Sequence, residues 1–485
     1  MKKQCGILMP VFALPGDYGT GTFGKESYDF IDFLVKSKHY IWQVLPLGQT
    51  SFGDSPYQTV SDKSLNPYFC NLEDLFKQNL ITEKELESEK RKVTKVDYAA
   101  LYNRRYALLK KAYSRFTPTD EFLSFVNEKE FYDYAVFMTL KSVYGSRENF
   151  PEKLKFRKKS AVDEFVAERY DEVLFYEFIQ FILKKQYEKL RAYAKEKGVK
   201  ILGDLPLYVA GDGEEVWRDP SVFLLDENLN PEKVAGVPPD YFSADGQLWG
   251  NPVYNYAAMK RNGYRWWKSR LRFALSRYDY LRIDHFRGLD RYWAIPNGEK
   301  AVNGKWEKAD GFEILCKFPK NRLIAEDLGV IDDGVINLMK RLDLRGMKVL
   351  LFAFNGDKNN PYLPENVDEK SVSYIGTHDN DTAVGYINKL GKDEKKRFIK
   401  AVAGYAGVKP SSLDSAKKIA DALLKILYSL KSEIVISSFA DVNSLGNKYR
   451  INEPSTMGNW TVRFPKKYFT DETAAKLALL ADSRK

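Results

Sequence analysis

Eight short apolar segments, each running into Gly, Pro or Asp, alternate with helical patterns along the chain, and no other feature restricts the fold as much. They cover residues 7–14, 41–48, 200–209, 280–289, 322–329, 348–354, 372–381 and 434–442. Between the first two, Phe23, Phe30, Ile31 and Leu34 recur at helical spacing. Parallel strands need long crossovers, usually helices, so this alternation predicts a parallel sheet closed into a (β/α)8 TIM barrel, an α/β fold. On pattern alone, a doubly wound open sheet is the alternative.

The spacing is uneven. The interval between residues 48 and 200 is far too long for one crossover. It carries helical patterns near 83–115, 120–144 and 163–197, the last meeting Gly198 where a helix C-cap belongs. Residues 53–197 therefore read as a mostly helical insertion subdomain on the catalytic rim, with 1–52 and 198–485 forming the barrel. A second insertion, 211–277, reads as loop-rich and aromatic.

Composition narrows the class. The chain has 485 residues, 44% of them hydrophobic, enough for a large core. Cys5, Cys70 and Cys316 are too few and too scattered for a disulfide framework or a cysteine zinc site, and they fit a reducing compartment. His39, His285 and His378 are likewise too dispersed for a His-rich metal centre, so no cofactor is expected. Pro10 and Pro15 end the apolar run behind the Lys2-Lys3 pair too early for a signal peptide. The longest pure apolar run elsewhere, 349–354, is too short to span a membrane. The expectation is a cytoplasmic protein. The formal charge of +10 is concentrated around 153–159 and in the mixed-charge stretch 84–115, which read as solvated helical faces. No nucleic-acid-binding motif accompanies them.

The stretch Tyr280-Leu-Arg-Ile-Asp-His-Phe-Arg-Gly-Leu289 sets charges into a buried strand. Alternation turns Leu281 and Ile283 toward the helices and Tyr280, Arg282 and Asp284 toward the interior. Asp284 then sits at the C-terminal end, where barrel enzymes keep their chemistry. Asp204, the neighbours Glu326 and Asp327, and His378, Asp379 and Asp381 share that address. Any one strand-end acid could cap a helix or pair with a cation. Four acid-bearing strand ends on one rim repel each other unless the chemistry uses the tension. Glycoside cleavage does, with one carboxylate ionised and one protonated. Arg282 favours the ionised form of Asp284, and a neighbouring negative charge favours a protonated acid across the barrel. Alternation alone does not choose between Glu326 and Asp327.

The run Arg282-Ile-Asp-His-Phe-Arg-Gly288 resembles the fourth-strand motif of the amylomaltases, the 4-α-glucanotransferases of glycoside hydrolase family 77, relatives of the α-amylases. Gly203-Asp-Leu-Pro206, Ala325-Glu-Asp-Leu-Gly329 and Gly376-Thr-His-Asp-Asn-Asp381 resemble the third, fifth and seventh. Cys5-Gly-Ile-Leu-Met-Pro10, Trp42-Gln-Val-Leu-Pro-Leu-Gly48, Gly53-Asp-Ser-Pro-Tyr-Gln58, Leu248-Trp-Gly-Asn-Pro252 and Gly458-Asn-Trp460 extend the likeness over nearly the whole chain. The resemblance implies transfer of α-1,4-glucan segments between maltodextrin donor and acceptor. It implies Asp284 as nucleophile, Glu326 as acid/base and Asp379 as the third carboxylate, which helps distort the sugar ring. Arg282 would orient the nucleophile, Asp204 and His378 would bind the sugar beside the cleaved bond, and Tyr57 would stack on it. The loop 238–250 would cover the cleft, with Trp249 and Tyr241 offering faces to sugar. A plain α-glucan hydrolase and a non-catalytic glucan-binding protein are the competing readings.

Other features read more plainly. Trp266-Trp267 reads as core, His39 as a helix C-terminal dipole partner, 16–21 as a turn-forming loop, and His285 as support on the face opposite Asp284. Two residues depart from the family pattern: Ser455 stands where Gly is usual and Tyr256 where Trp is common. The first is expected at a loop on the barrel's rear rim, the second on the acceptor side.

Overall fold

The computed structural model describes residues 3–239 and 245–484. Eight strands form one parallel sheet: β1 (Gln4–Leu8), β2 (Ile41–Gln43), β3 (Lys200–Leu205), β4 (Tyr280–Ile283), β5 (Leu323–Ala325), β6 (Gly346–Val349), β7 (Ser371–Tyr374) and β8 (Ile434–Ser438). Each pairs with its sequence neighbour except across β5 and β6, and β8 returns to β1. At the remaining seam Ile324 bridges Arg345, and the Ala325 N–H donates to the Arg345 carbonyl at 2.8 Å. The closed (β/α)8 barrel is thus present, and the open sheet is excluded.

The strands are buried on both faces, as parallel strands under helices must be; all five residues of β8 are buried. Two are displaced from their apolar runs. The first stops at Leu8, because Pro10 offers no N–H to a ladder and Val11–Ala13 winds into a 3-10 turn. The sixth begins at Gly346, and Leu350–Phe352 coils beyond it. The helix Lys25–Lys36 lays Phe30, Ile31 and Leu34 on the barrel, with the Phe30 ring 5.1 Å from Trp42. Truncating Phe30 to Ala would cost about 3–5 kcal/mol in lost burial and cavity.

Helices fill the interval before β3. The last of them, Tyr170–Glu196, packs Phe178 and Phe181 against Phe116 and Phe122 in its first half. Its second half lies on the barrel, with Tyr187 5.2 Å from Phe23 and its hydroxyl donating to the Arg277 carbonyl. Within 211–277, Lys233–Val237 and Gln247–Pro252 pair as strands, and with Arg291–Pro296 and Lys305–Lys308 they make a four-stranded antiparallel sheet. This sheet carries Trp249 to the mouth of the barrel.

The Trp266 and Trp267 rings are core, 6% and 1% exposed. His39 is no dipole partner. It is fully buried between the Ser37 carbonyl and the Tyr428 hydroxyl, and burial pushes it down to about 4, so it is neutral. Among the described residues no helix is long and apolar enough to cross a membrane, and no His, Cys, Asp and Glu cluster could hold a metal ion.

Candidate active site

The register of β3 on β4 sets Asp204 beside Arg282 on one face. Gly203 makes that pairing possible, since a Cβ there would lie 2.2 Å from the Tyr278 ring. Arg282 Nη1 donates to both Asp204 oxygens, at 2.8 and 2.7 Å, and reaches Asp284 Oδ1 at 2.9 Å. Arg282 and Asp204 are almost wholly buried, whereas Asp284 keeps 27% of its side chain open. Burial works against the charge of Arg282, but Asp204 and Asp284 more than offset it, so the guanidinium stays charged.

The ladder continues past the strand ends. Asp284 N–H donates to Leu205, Glu326 N–H to Ile283, and Phe286 N–H to the Glu326 carbonyl. Glu326 is held by its own carboxyl oxygens: Oε2 accepts the His285 N–H at 2.8 Å and Oε1 the Leu328 N–H at 2.9 Å. Asp327 turns the other way, accepting the Met347 N–H at 2.6 Å with Lys348 3.9 Å off. Of the two, Glu326 is the one within reach of the charges of Asp284 and Arg282, whereas Asp327 pairs with the Met347 N–H and Lys348.

Burial pushes Asp284 up to about 7 against the pull of Arg282, and Glu326 up to about 8, where Asp284 adds its charge to the burial. Arg282 pulls both carboxyls down but contacts only Asp284 of the two, and the charge of Asp284 raises Glu326 further, so the coupling favours a proton on Glu326 over one on Asp284.

Tyr57 donates its hydroxyl to Asp204 Oδ2 at 2.7 Å, and its ring stacks on His378 at 5.3 Å. His378 Nε2 lies 2.9 Å from the Tyr57 oxygen and 3.3 Å from Asp379 Oδ2. Burial lowers His378 despite Asp379. Asp379 itself is 41% exposed at the cleft. These side chains meet along a cleft of about 780 Å³, lined by Tyr57, Trp249, Asp284, His378 and Asp379 among others.

Three sequence readings are corrected. His285 faces the cleft, with its ring 4.8 Å from Trp249. Alternation fails there because the chain leaves the strand in the left-handed region, φ 46°. Burial and Arg287 push its imidazole down to about 4, so it is neutral, and its Nε2 has no protein partner. Ser455 lines the cleft rather than a rear rim, at φ 64°. Tyr256 instead packs on Tyr254 and Tyr292, away from the cleft lining. Tyr241 falls outside the described residues. Sequence reasoning assigned no role to Asn452 and Trp460. Asn452 Nδ2 donates to Asp379 Oδ1 at 2.6 Å, and the Trp460 ring lies 5.8 Å from Tyr57. The Gly-Asn-Trp motif was the available signal for the second, and the stretch Asn452-Glu-Pro-Ser-Thr456, set against the family pattern for its Ser455, was that for the first.

A parallel barrel that gathers acids around one guanidinium at the mouth of an aromatic cleft has the plan of a carbohydrate-active barrel enzyme. Comparison with known proteins makes the class specific. The 4-alpha-glucanotransferase profile of glycoside hydrolase family 77 matches residues 9–469. The chain is 39% identical to the 4-alpha-glucanotransferase of Clostridium butyricum over 484 residues, covering 97% of this chain and 98% of that one. It is 38% identical to the Thermus thermophilus enzyme of the same name, covering 100% and 99%. The structure superposes with a TM-score of 0.94 on the Streptococcus agalactiae amylomaltase solved with acarbose, at 34% identity and covering 100% and 99%. The chain belongs to the 4-α-glucanotransferase family, the amylomaltases, retaining enzymes of the α-amylase clan.

Proposed function

We propose that the protein transfers α-1,4-glucan segments between maltodextrin chains in the cytoplasm, with Asp284 as nucleophile, Glu326 as acid/base and Asp379 as the carboxylate that holds sugar hydroxyls as the ring flattens. The observation that carries this reading is the asymmetry of the pair: Arg282 contacts Asp284 directly, while Glu326 is held by the His285 and Leu328 N–H groups, and burial together with the charge of Asp284 raises its affinity for a proton.

In the first step the Asp284 carboxylate attacks the anomeric carbon, and Glu326 gives its proton to the departing 4-oxygen. A β-linked glycosyl ester and a shortened glucan result. In the second, the Glu326 carboxylate takes the proton of the acceptor's 4-hydroxyl, whose oxygen attacks the same carbon and releases Asp284. Two inversions retain the α configuration. Tyr57, Asp204 and His378 bind the sugar beside the cleaved bond, and Trp249 offers an apolar face to the acceptor. Arg282, 2.9 Å from Asp284 Oδ1, orients the nucleophile and favours its ionised form.

Water in place of the acceptor would make the same machinery a hydrolase. Incubation with maltotriose alone separates the readings. Glucose together with oligosaccharides longer than the substrate is the expected outcome. Products no longer than maltotriose would establish hydrolysis, and an unchanged substrate would leave a binding protein.

A further inference from the structure

Asp379 stands on the segment after β7, outside any ladder, and two-fifths of its side chain is open. Its own neighbours fix it weakly, its N–H reaching Thr377 Oγ1 only at 3.3 Å. What holds it comes from a remote loop. Arg450 Nη2 donates to the Asp379 carbonyl at 2.9 Å, while Arg450 Nε donates to the Asn452 carbonyl at 2.7 Å. Asn452 in turn donates its side-chain N–H to Asp379 Oδ1 at 2.6 Å, and its backbone N–H to the His378 carbonyl at 3.1 Å. One planar guanidinium thus spaces the backbone of the acid from the backbone of the residue that grips its carboxylate.

Arg450 is itself anchored. Its Nη1 meets Asp381 Oδ1 at 2.6 Å, and that oxygen also accepts from Asn447 Nδ2 at 2.7 Å and Lys389 Nζ at 3.0 Å. Arg450 and Asp381 are each 14% exposed. Glu453 Oε1, 3.3 Å from the same guanidinium, is half exposed and adds little. Asp381, like Asp327, is a strand-end acid left unused by the chemistry above, and this is its occupation.

We infer that Arg450, locked by Asp381, is a positioning residue that sets the carboxylate of Asp379 against the sugar ring. The inference rests on the role proposed for Asp379. A guanidinium fork holds two carbonyls and a carboxylate on three separate nitrogens at fixed planar spacing, whereas an ammonium gathers its donors on one atom and sets no such spacing. Misplacement of a reacting group by about 1 Å costs on the order of 100-fold in rate.

The test compares Arg450→Lys, Arg450→Ala and Asp381→Asn with the parent on maltotriose, and repeats Arg450→Ala in an Asp379→Asn background. An α-maltosyl fluoride donor, which needs no acid to expel its leaving group, keeps the weak variants measurable. The expected result is a kcat about 100-fold lower in Arg450→Lys with KM changed less than about threefold. Added guanidinium should restore part of the activity of Arg450→Ala. In the Asp379→Asn background the same substitution should cost less than about threefold, because the group it positions is already gone. A kcat within twofold of the parent in Arg450→Lys, or an equal loss in both backgrounds, overturns the positioning role. Full activity in Asp379→Asn alone would instead overturn the reading of Asp379.

Discussion

Two guanidinium–carboxylate contacts are buried at opposite ends of the barrel, and they are built differently. At the N-terminal end, Arg345 meets Glu433 fork to fork, Nε to Oε2 at 2.6 Å and Nη2 to Oε1 at 2.8 Å, with Nη1 donating to the Asn321 carbonyl. One cation faces one anion, and each is under a tenth exposed. At the C-terminal end a single nitrogen of Arg282 serves both Asp204 and Asp284, with Glu326 on the next strand. There the acids outnumber the cation. A matched pair leaves no proton to place, whereas an unmatched set must hold one, and a site that holds a proton can deliver it. The first contact fastens the fold, and the second is suited to acid–base work.

The largest test of this contrast is Asp284→Asn. Transfer on maltotriose should fall by about 10⁴-fold or more. The melting temperature at pH 8 should equal or exceed that of the parent, because the substitution relieves a carboxylate that burial disfavours. Glu433→Ala at the other end should behave oppositely. Leaving Arg345 buried without its partner should cost about 3–5 kcal/mol in denaturant unfolding, with kcat per folded molecule unchanged. A stable Glu433→Ala protein, or an unstable Asp284→Asn one, would erase the distinction.

The pH dependence gives the next test. Both mouth carboxyls are raised, to about 7 and about 8, above the ~4 of an unfolded chain. Their contribution to stability is therefore complete at acid pH and is lost as pH rises through the folded values. Chemical denaturation should show stability falling between about pH 4 and 8, and Glu326→Gln should flatten that fall. The kcat/KM of the parent should decline below about 7 as Asp284 protonates and above about 8 as Glu326 empties. An alkaline limb that survives in Glu326→Gln would remove it as the acid. Smaller still, Tyr57→Phe deletes one hydroxyl that serves Asp204 and His378. It should lower kcat/KM about tenfold, roughly 1.4 kcal/mol, the worth of one hydrogen bond to a charged group, with little change in melting.

The same contrast explains what could be read from the sequence. Arg282, Asp284 and Asp204 were legible because period-two alternation holds as long as the chain remains a strand. It failed one residue later, at His285, where φ turns positive. Glu326 and Asp327 differ by one register position, which only the ladder fixes. The small antiparallel sheet went unread because neither of its two edge strands, Lys-Trp-Glu-Lys and Gln-Leu-Trp-Gly-Asn-Pro, has an apolar run to find. Asn452 lies 73 positions from the acid it holds, and no periodicity links the two. His39 was placed correctly at a helix end, but nothing local announces that Tyr428 closes over it.

The smallest expected effect concerns the lip of the cleft. Ser455 adopts φ 64° and Gly458 φ 81° in a loop whose turn Asn459 stitches, its amide donating to the carbonyls of Glu453 and Thr456 and its Oδ1 accepting the Glu453 N–H. A side chain in the left-handed region is mildly strained, and glycine there is not. Ser455→Gly relieves that strain but gives the unfolded chain more freedom, so the two effects largely cancel, leaving a stability change within about 1 kcal/mol. The loop's shape is fixed by Asn459 rather than by residue 455, so kcat on maltotriose should stay within twofold. Asn459→Ala, which cuts the stitches while keeping the backbone, should raise KM more than Ser455→Gly does. If the serine variant instead shifts the ratio of transfer to hydrolysis, the lip depends on the side chain at 455, and the cleft is tuned from its rim as well as from its charged floor.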